Sequence, residues 1–165
     1  MTPMSLPGAG QIVLTGILAT VTLDLWALTA NRVAGLPITN WGHVGRWMTG
    51  MLSGTLYHPD IATAPHARGE RFAGWLTHYV VGIVYAATYL TLVAALGSAP
   101  AIYSAGFFGL VTVLAPWLIL QPCLGSGFFA ANAPNPGFTR RINLSSHLVF
   151  GTGLYIGFVI STFVF

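Results

Sequence analysis

The sequence predicts an all-α, polytopic membrane protein with four transmembrane helices. Of its 165 residues, 55% are hydrophobic and only 5% are charged, whereas a soluble domain carries about 25% charged residues. Four apolar stretches each reach the roughly 20 residues that a helix needs to cross a bilayer. The six arginines flank these stretches instead of forming a patch, and they are too few for a nucleic-acid interface.

We expect the four spans to form one domain over residues 1–165. The sequence Gly-Ser-Ala-Pro predicts a tight turn between the second span and the third. No internal repeat divides the chain. The predicted spans cover residues 10–30, 72–96, 101–120 and 142–163.

The long first loop, residues 31–71, contains a further predicted helix at residues 40–55. Apolar residues recur there at i, i+3 and i+4, which is the spacing of an amphipathic helix. A helix of this kind lies in the membrane interface. Its apolar face contains Trp41, Val44, Met48, Met51 and Leu52, and its polar face contains His43, Arg46 and Ser53.

The positions of the arginines predict which side of the membrane each loop occupies. Cytoplasmic loops are enriched in Arg and Lys, and the second loop and both termini contain neither. We therefore expect a bacterial inner-membrane protein whose termini both face the periplasm or the exterior. The arginines are Arg32, Arg46, Arg68 and Arg71 around the first loop, and Arg140 and Arg141 in the third.

Three ionisable residues, Asp24, His78 and His147, lie inside three different predicted spans. At 1.5 Å per residue, each lies about 9–12 Å inward from the arginine that ends its span. Such groups are costly in hydrocarbon and usually face a partner, a cavity or a pathway. We expect them to share one water-reachable pocket open to the cytoplasm, with Gln121 and Tyr85 as further polar members.

Short motifs run through nearly the whole chain. They are Asp24-Leu25-Trp26, Val44-Gly45-Arg46-Trp47, Arg68-Gly69-Glu70, Gly74-Trp75, His78-Tyr79, Thr112-Val113-Leu114-Ala115-Pro116-Trp117, Gln121-Pro122, and His147 with Phe150-Gly151 and Gly153-Leu154-Tyr155. Together they resemble a family of uncharacterised bacterial integral-membrane proteins classed as a domain of unknown function. The resemblance implies a small multi-span membrane protein and brings no established activity with it.

Three interpretations of the buried polar residues are open. The first is a proton-linked pathway for a small solute, with Asp24 as the acceptor and His78 and His147 as partners that titrate near neutral pH. The second is a divalent metal or a haem, because His and carboxylate ligate zinc and iron and two histidines can hold a haem axially. The third is a structural role, either in helix packing or as an assembly partner of a larger complex.

The remaining candidate residues lie at the membrane interface. Arg46, Arg68 and Arg71 are predicted to contact a phosphate or an anionic headgroup, or to act only as topology anchors. Glu70 is expected to pair with one of them. No phosphate loop, nucleophile triad or zinc-protease motif supports an enzyme. The expected partners are the lipid bilayer and further copies of the chain, since a chain this small would need a homo-oligomer to form a conduit.

Overall fold

The computed structural model describes residues 6–165, and all regular secondary structure in that range is helical. The predicted all-α fold class is therefore confirmed. The α-helices are α1 (Ala9–Ala34), α2 (Trp41–Leu52), α3 (Glu70–Ala95), α4 (Ile102–Thr112), α5 (Gln121–Cys123) and α6 (Pro136–Ser161). A π-helical segment, Pro116–Leu120, precedes α5, and a 3-10 turn, Phe128–Ala130, follows it.

Four helical stretches are long and apolar enough to cross a membrane, as the sequence predicts. At 22 to 26 residues, each extends about 33–39 Å, which exceeds the roughly 30 Å of a hydrocarbon core. Only 22% to 33% of their most apolar windows is buried within the chain. Most of this apolar surface therefore faces outward, where lipid would cover it. The stretches are Ala9–Ala34, Glu70–Ala95, Ile102–Cys123 and Pro136–Ser161.

The chain divides into two compact units. Unit 1 contains the chain up to Pro37, together with Tyr79–Thr112 and Ser145–Phe165. Unit 2 contains Ile38–His78 and Val113–Leu144. The core of unit 1 is formed by Ala19, Ala86, Tyr89, Leu90, Val93, Ala105, Phe150 and Leu154.

Glycines let α6 approach α1 closely in unit 1. A Cβ added at Gly153 would lie 2.9 Å from the Cα of Ala19, and one at Gly157 would lie 2.8 Å from the carbonyl oxygen of Thr15. Small residues four apart permit this backbone contact between helices. The Gly-x-x-x-Gly pair on α6 is therefore a helix-packing element.

The opposite face of α6 packs against α4. Gly151 faces the backbone of Ala105 and Gly106, and Gly109 faces the backbone carbonyl of His147. Gly151 and Gly153 are two residues apart, which places them about 200° apart around a helix with 3.6 residues per turn. Within unit 1, α6 thus has backbone contacts on two sides, and His147 belongs to the α4 side.

Unit 2 contains the break that proline causes in the third span. Pro116 has no backbone N–H, so the regular α-helical hydrogen-bond ladder cannot continue through it. The chain winds as a π-helix from this residue, and the N–H of Gln121 bonds to the carbonyl of Pro116, five residues earlier. Segments of this kind are rare and are frequent at functional sites.

The loop after α2 pairs with the end of α5 and the residue that follows it in unit 2. The His58 N–H donates to the Cys123 carbonyl at 2.8 Å, and the Ile61 N–H donates to the Leu124 carbonyl at 3.2 Å. Gly125 has a positive φ of 88°, and any side chain there would overlap the Pro59 carbonyl. Glycine is therefore required at this position for the two segments to meet.

Candidate functional site

The carboxylate of Asp24 accepts a hydrogen bond from the hydroxyl of Tyr79 in unit 1. The distance from the Tyr79 oxygen to Asp24 Oδ2 is 2.9 Å, and both side chains are partly buried. Asp24 lies about 15 Å from the C-terminal end of α1, and Tyr79 lies about 14 Å from the N-terminal end of α3. The pair therefore lies well inside two helices that are apolar enough to span a membrane.

Close packing of α1 on α3 brings this pair together. Gly82 lies three residues after Tyr79, and a Cβ there would overlap the Thr20 hydroxyl one turn before Asp24. Thr20 is fully buried, and its hydroxyl donates to the Gly16 carbonyl of its own helix at 2.8 Å. The small residues next to the pair thus leave room for the two helices to approach.

Tyr79 was not among the site residues that the sequence predicted. A signal for it was present, because Tyr79 lies eight residues after Arg71 and Asp24 lies eight residues before Arg32. Equal offsets from the arginines that end two spans indicate equal depth. A search for hydroxyl donors at the depth of Asp24 would have found it.

The second titratable group of unit 1 is His147, which bonds to Thr112. The distance from His147 Nδ1 to Thr112 Oγ1 is 2.8 Å, and Thr112 Oγ1 lies 2.6 Å from the carbonyl oxygen of Gly109. Thr112 is only 7% exposed. A short hydrogen-bonded chain therefore runs from His147 on α6 to the backbone of α4.

Tyr85, the other predicted pocket member of unit 1, packs among aromatic side chains. Its ring makes edge-on contacts with Phe150 at a centroid distance of 5.9 Å and with Phe108 at 6.4 Å. This geometry is favourable for aromatic pairs. The ring of Tyr85 therefore contributes to the packing around the core of unit 1.

His78 belongs to unit 2, where it lies among tryptophans. Its ring stacks on Trp41 with a centroid distance of 3.8 Å and an interplanar angle of 25°. It also makes an edge-on contact with Trp75 at 5.8 Å. Because Asp24 and His147 lie in unit 1, the pocket shared by all three residues stays a prediction.

Gln121 forms a polar cluster with Asn143 and Trp117 in unit 2. The side-chain oxygen of Asn143 accepts from Gln121 Nε2 at 2.8 Å and from the indole N–H of Trp117 at 3.0 Å. The side-chain oxygen of Gln121 is buried and has no hydrogen-bond partner among the described residues. The sequence predicted Gln121 as a polar group at this level, but it did not identify Asn143 as its partner.

Arg46 is buried inside unit 2, with an exposure of 4%, and it pairs with Glu70. The expected pairing of Glu70 with an arginine is therefore confirmed, and hydrogen bonding to Glu70 raises the pKa of Arg46. Arg46 does not lie on an exposed polar face of α2, because α2 packs this side against the start of α3. Any side chain at Gly45 would overlap the carbonyl of Glu70, and any side chain at Gly74 would overlap the carbonyl of Trp41.

Four of the five N–H groups of the Arg46 guanidinium have oxygen acceptors within unit 2. The Nε hydrogen and one Nη2 hydrogen point to the Glu70 carboxylate, and the two Nη1 hydrogens point to the carbonyls of Ile61 and Ala64. His66 Nδ1 lies 2.7 Å from Nη2 and 2.8 Å from Glu70 Oε1, and a ring nitrogen that donates to the carboxylate cannot also accept from Arg46. The four bonds hold the guanidinium inside unit 2, and the predicted contact of Arg46 with a phosphate or headgroup stays a prediction.

Arg68 and Arg71 are exposed, and their predicted contact with anions stays a prediction.

The positive charge of Arg46 acts on another residue of α2, His43. Burial lowers the pKa of His43, and the nearby Arg46 charge lowers it further.

Comparison with known proteins gives one match. Residues 13–161 fit the model of a family described as "Protein of unknown function (DUF2938)". The chain belongs to this family. The DUF2938 match includes Asp24, Tyr79, Thr112 and His147, and it confirms the resemblance to an uncharacterised family. No curated protein and no solved structure matches the chain.

Membership in DUF2938 assigns no role to the chain. Across residues 6–165, no three His, Cys, Asp or Glu side chains are grouped so that they could hold a metal ion. The metal interpretation of Asp24, His78 and His147 therefore gains no support from the described part of this DUF2938 chain.

Proposed function

We propose that this chain is a multi-pass membrane protein that moves protons, alone or together with a small solute, through the titratable side chains of unit 1. The observation that carries the proposal is the hydrogen bond from Tyr79 to Asp24, which joins two helices that are long and apolar enough to span a membrane. An ionisable residue at such a position is a candidate functional group, and its partner is part of the site.

Packing alone is a weak reason to keep a carboxyl group at residue 24. Inserting an aspartate at the centre of a membrane helix costs about 2.5–3.5 kcal/mol. An interhelical hydrogen bond in a membrane returns only about 0.6 kcal/mol on average. An asparagine would supply the same acceptor oxygen without a charge. The carboxyl group therefore supports a function that needs a titratable acid.

Tyr79 can be the hydrogen-bond partner of Asp24 in both protonation states of the carboxyl group. A phenol can donate a hydrogen bond to a carboxylate and can accept one from a carboxylic acid. Asp24 can therefore gain and lose a proton without losing its partner. His147 supplies a second titratable group in the same unit.

The test is proton movement by purified protein in vesicles that contain an entrapped pH dye. Internal pH is followed after a potassium diffusion potential is imposed, and again with small solutes added outside. We expect wild-type protein to change the internal pH, and Asp24→Asn to match protein-free vesicles. The matched control is Asp60→Asn, because Asp60 is exposed in a loop and its Oδ1 only caps the N–H of Ala62.

Two results would overturn the proposal. One is wild-type protein that leaves the internal pH unchanged under every condition. The other is Asp24→Asn protein that carries the same flux as wild type. If Asp24→Asn instead lowers only the unfolding temperature and leaves the flux intact, the structural interpretation replaces the proposal.

A further inference from the structure

We infer that Thr112 is a positioning residue that holds neutral His147 in its Nδ1-protonated tautomer, so that Nε2 is the atom that His147 offers. While His147 is neutral, Nε2 can take up a proton or accept a hydrogen bond from an N–H or O–H donor. It has no hydrogen with which to bind an anion. This inference rests on the proposed function and deepens it, because it gives the class of species that His147 can receive.

The argument begins with the single hydrogen of the Thr112 hydroxyl. Thr112 Oγ1 lies 2.6 Å from the carbonyl oxygen of Gly109 and 2.8 Å from His147 Nδ1. A carbonyl oxygen can only accept, so the hydroxyl hydrogen must point to Gly109 for the shorter contact to be a hydrogen bond. The hydroxyl then has only lone pairs left for His147, and Nδ1 must carry the hydrogen.

The opposite arrangement fails on the same distances. If Thr112 donated to Nδ1, two acceptor oxygens would lie 2.6 Å apart with no hydrogen between them. Thr112 is 7% exposed, so little room remains for water to separate these oxygens. An unsatisfied buried acceptor costs about 1–3 kcal/mol. The hydrogen-bond pattern therefore selects one tautomer of the neutral ring.

The packing of α4 on α6 holds the three groups in this arrangement. Any side chain at Gly109 would overlap the His147 carbonyl, and any side chain at Gly151 would overlap the Ala105 carbonyl. These backbone contacts occur at His147 itself and one turn after it. They hold the backbones of α4 and α6 in contact beside Thr112 and His147.

The chemical consequence concerns charge. In a histidine whose Nδ1 carries the hydrogen, Nε2 has a free lone pair. An ionised Asp24 is also an acceptor. Both titratable groups of the proposed function are thus acceptors when His147 is neutral, which favours protons and N–H or O–H donors over anionic solutes.

The experiment is solid-state NMR on the full chain in lipid bilayers with ¹⁵N-labelled histidine. Spectra are recorded at about pH 8.5, above the ordinary histidine pKa of about 6.5, and His147 is assigned by difference from His147→Gln. We expect Nδ1 to show the shift of a protonated ring nitrogen and Nε2 that of an unprotonated one. On acidification, the second proton should appear at Nε2.

Variants of Thr112 distinguish a role of its hydroxyl in positioning His147 from a role in packing alone. Thr112→Ser keeps the hydroxyl and should keep the tautomer, whereas Thr112→Val should give a mixture of both tautomers. Thr152→Val on α6 is the control, because the Thr152 hydroxyl makes a solvent-exposed hydrogen bond to the Leu148 carbonyl of its own helix. A control spectrum identical to wild type is expected.

A wild-type His147 whose proton lies on Nε2 would overturn the inference, whether or not Thr112→Val folds. So would a Thr112→Val protein that keeps the wild-type tautomer. The spectrum does not depend on transport, so an absence of proton flux with the expected tautomer would refute the proposed function and leave the tautomer assignment in place.

Discussion

Arg46 and Glu70 form a two-point ion pair inside unit 2, with Nε 2.8 Å from Oε2 and Nη2 3.0 Å from Oε1. The same guanidinium holds the carbonyls of Ile61 and Ala64. One side chain on α2 therefore connects the start of α3 to the loop that joins the two helices.

This connection predicts a large loss of stability when the guanidinium is removed. Arg46→Ala should lower the free energy of unfolding by about 3–5 kcal/mol, because it leaves Glu70 as an uncompensated, mostly buried charge. Arg46→Lys should also destabilise the protein, since an ammonium cannot reproduce the two parallel bonds to Glu70 together with the bonds to the two carbonyls. Thermal unfolding in detergent, followed by tryptophan fluorescence, measures both losses. Arg71→Ala, at an exposed position, should change little.

His43 predicts a pH dependence of stability. Its pKa is lowered in the folded protein by burial and by the Arg46 charge, so the unfolded chain binds more protons than the folded one. Stability should therefore fall as the pH drops below the ordinary histidine value of about 6.5. His43→Gln should reduce this loss between about pH 6.5 and pH 5 relative to wild type. An equal loss in both proteins would contradict the role of His43.

The contact between α6 and α1 predicts opposite effects from one substitution at two positions. Gly153→Ala should destabilise the protein by about 1–3 kcal/mol through overpacking, because its Cβ would lie 2.9 Å from the Cα of Ala19. Gly137→Ala on the same helix has only Asn135 Oδ1 nearby, at 3.9 Å. It should stabilise by up to about 1 kcal/mol through helix propensity. Unfolding midpoints in one detergent compare the two variants directly.

The hydrogen bond to Asp24 predicts a loss of proton flux when the Tyr79 hydroxyl is removed. Tyr79→Phe takes away the hydroxyl that donates to the Asp24 carboxylate, while the ring continues to fill its space. Proton flux into dye-loaded vesicles should therefore fall relative to wild type. Tyr103→Phe is the matched control, because Tyr103 is 80% exposed. An equal fall in both variants would argue against a specific role for Tyr79.

The sequence predicted the helices well because length and hydropathy determine them locally. It also located α2 from the spacing of its apolar residues and placed Arg46 on the polar face of that helix, but it did not predict that Arg46 is buried. Periodicity reports only the type of residue on each face. The burial of Arg46 depends on Glu70, which lies 24 residues further along the chain. A partner so distant in sequence is not visible in the pattern of a single helix.

The candidate site was predicted only in part for the same reason. Asp24 and His147 stand out because charge is costly in an apolar helix. Tyr79 and Thr112 do not stand out, because tyrosine and threonine are ordinary residues in membrane helices. Their importance depends on which atoms they reach, and the glycines that set the distances between helices also show their partners only in three dimensions.

The two glycine faces of α6 also limit how unit 1 can move. Sliding α6 along its axis by one turn would bring His147 or Tyr155 to the place where Gly151 now leaves room for the backbone of α4. Packed interfaces of this kind change by small shear or rotation and do not deform continuously. A large rocking motion of α6 within unit 1 is therefore disfavoured. Any gating there should involve small rotations of side chains and helices, of the order of 1–2 Å.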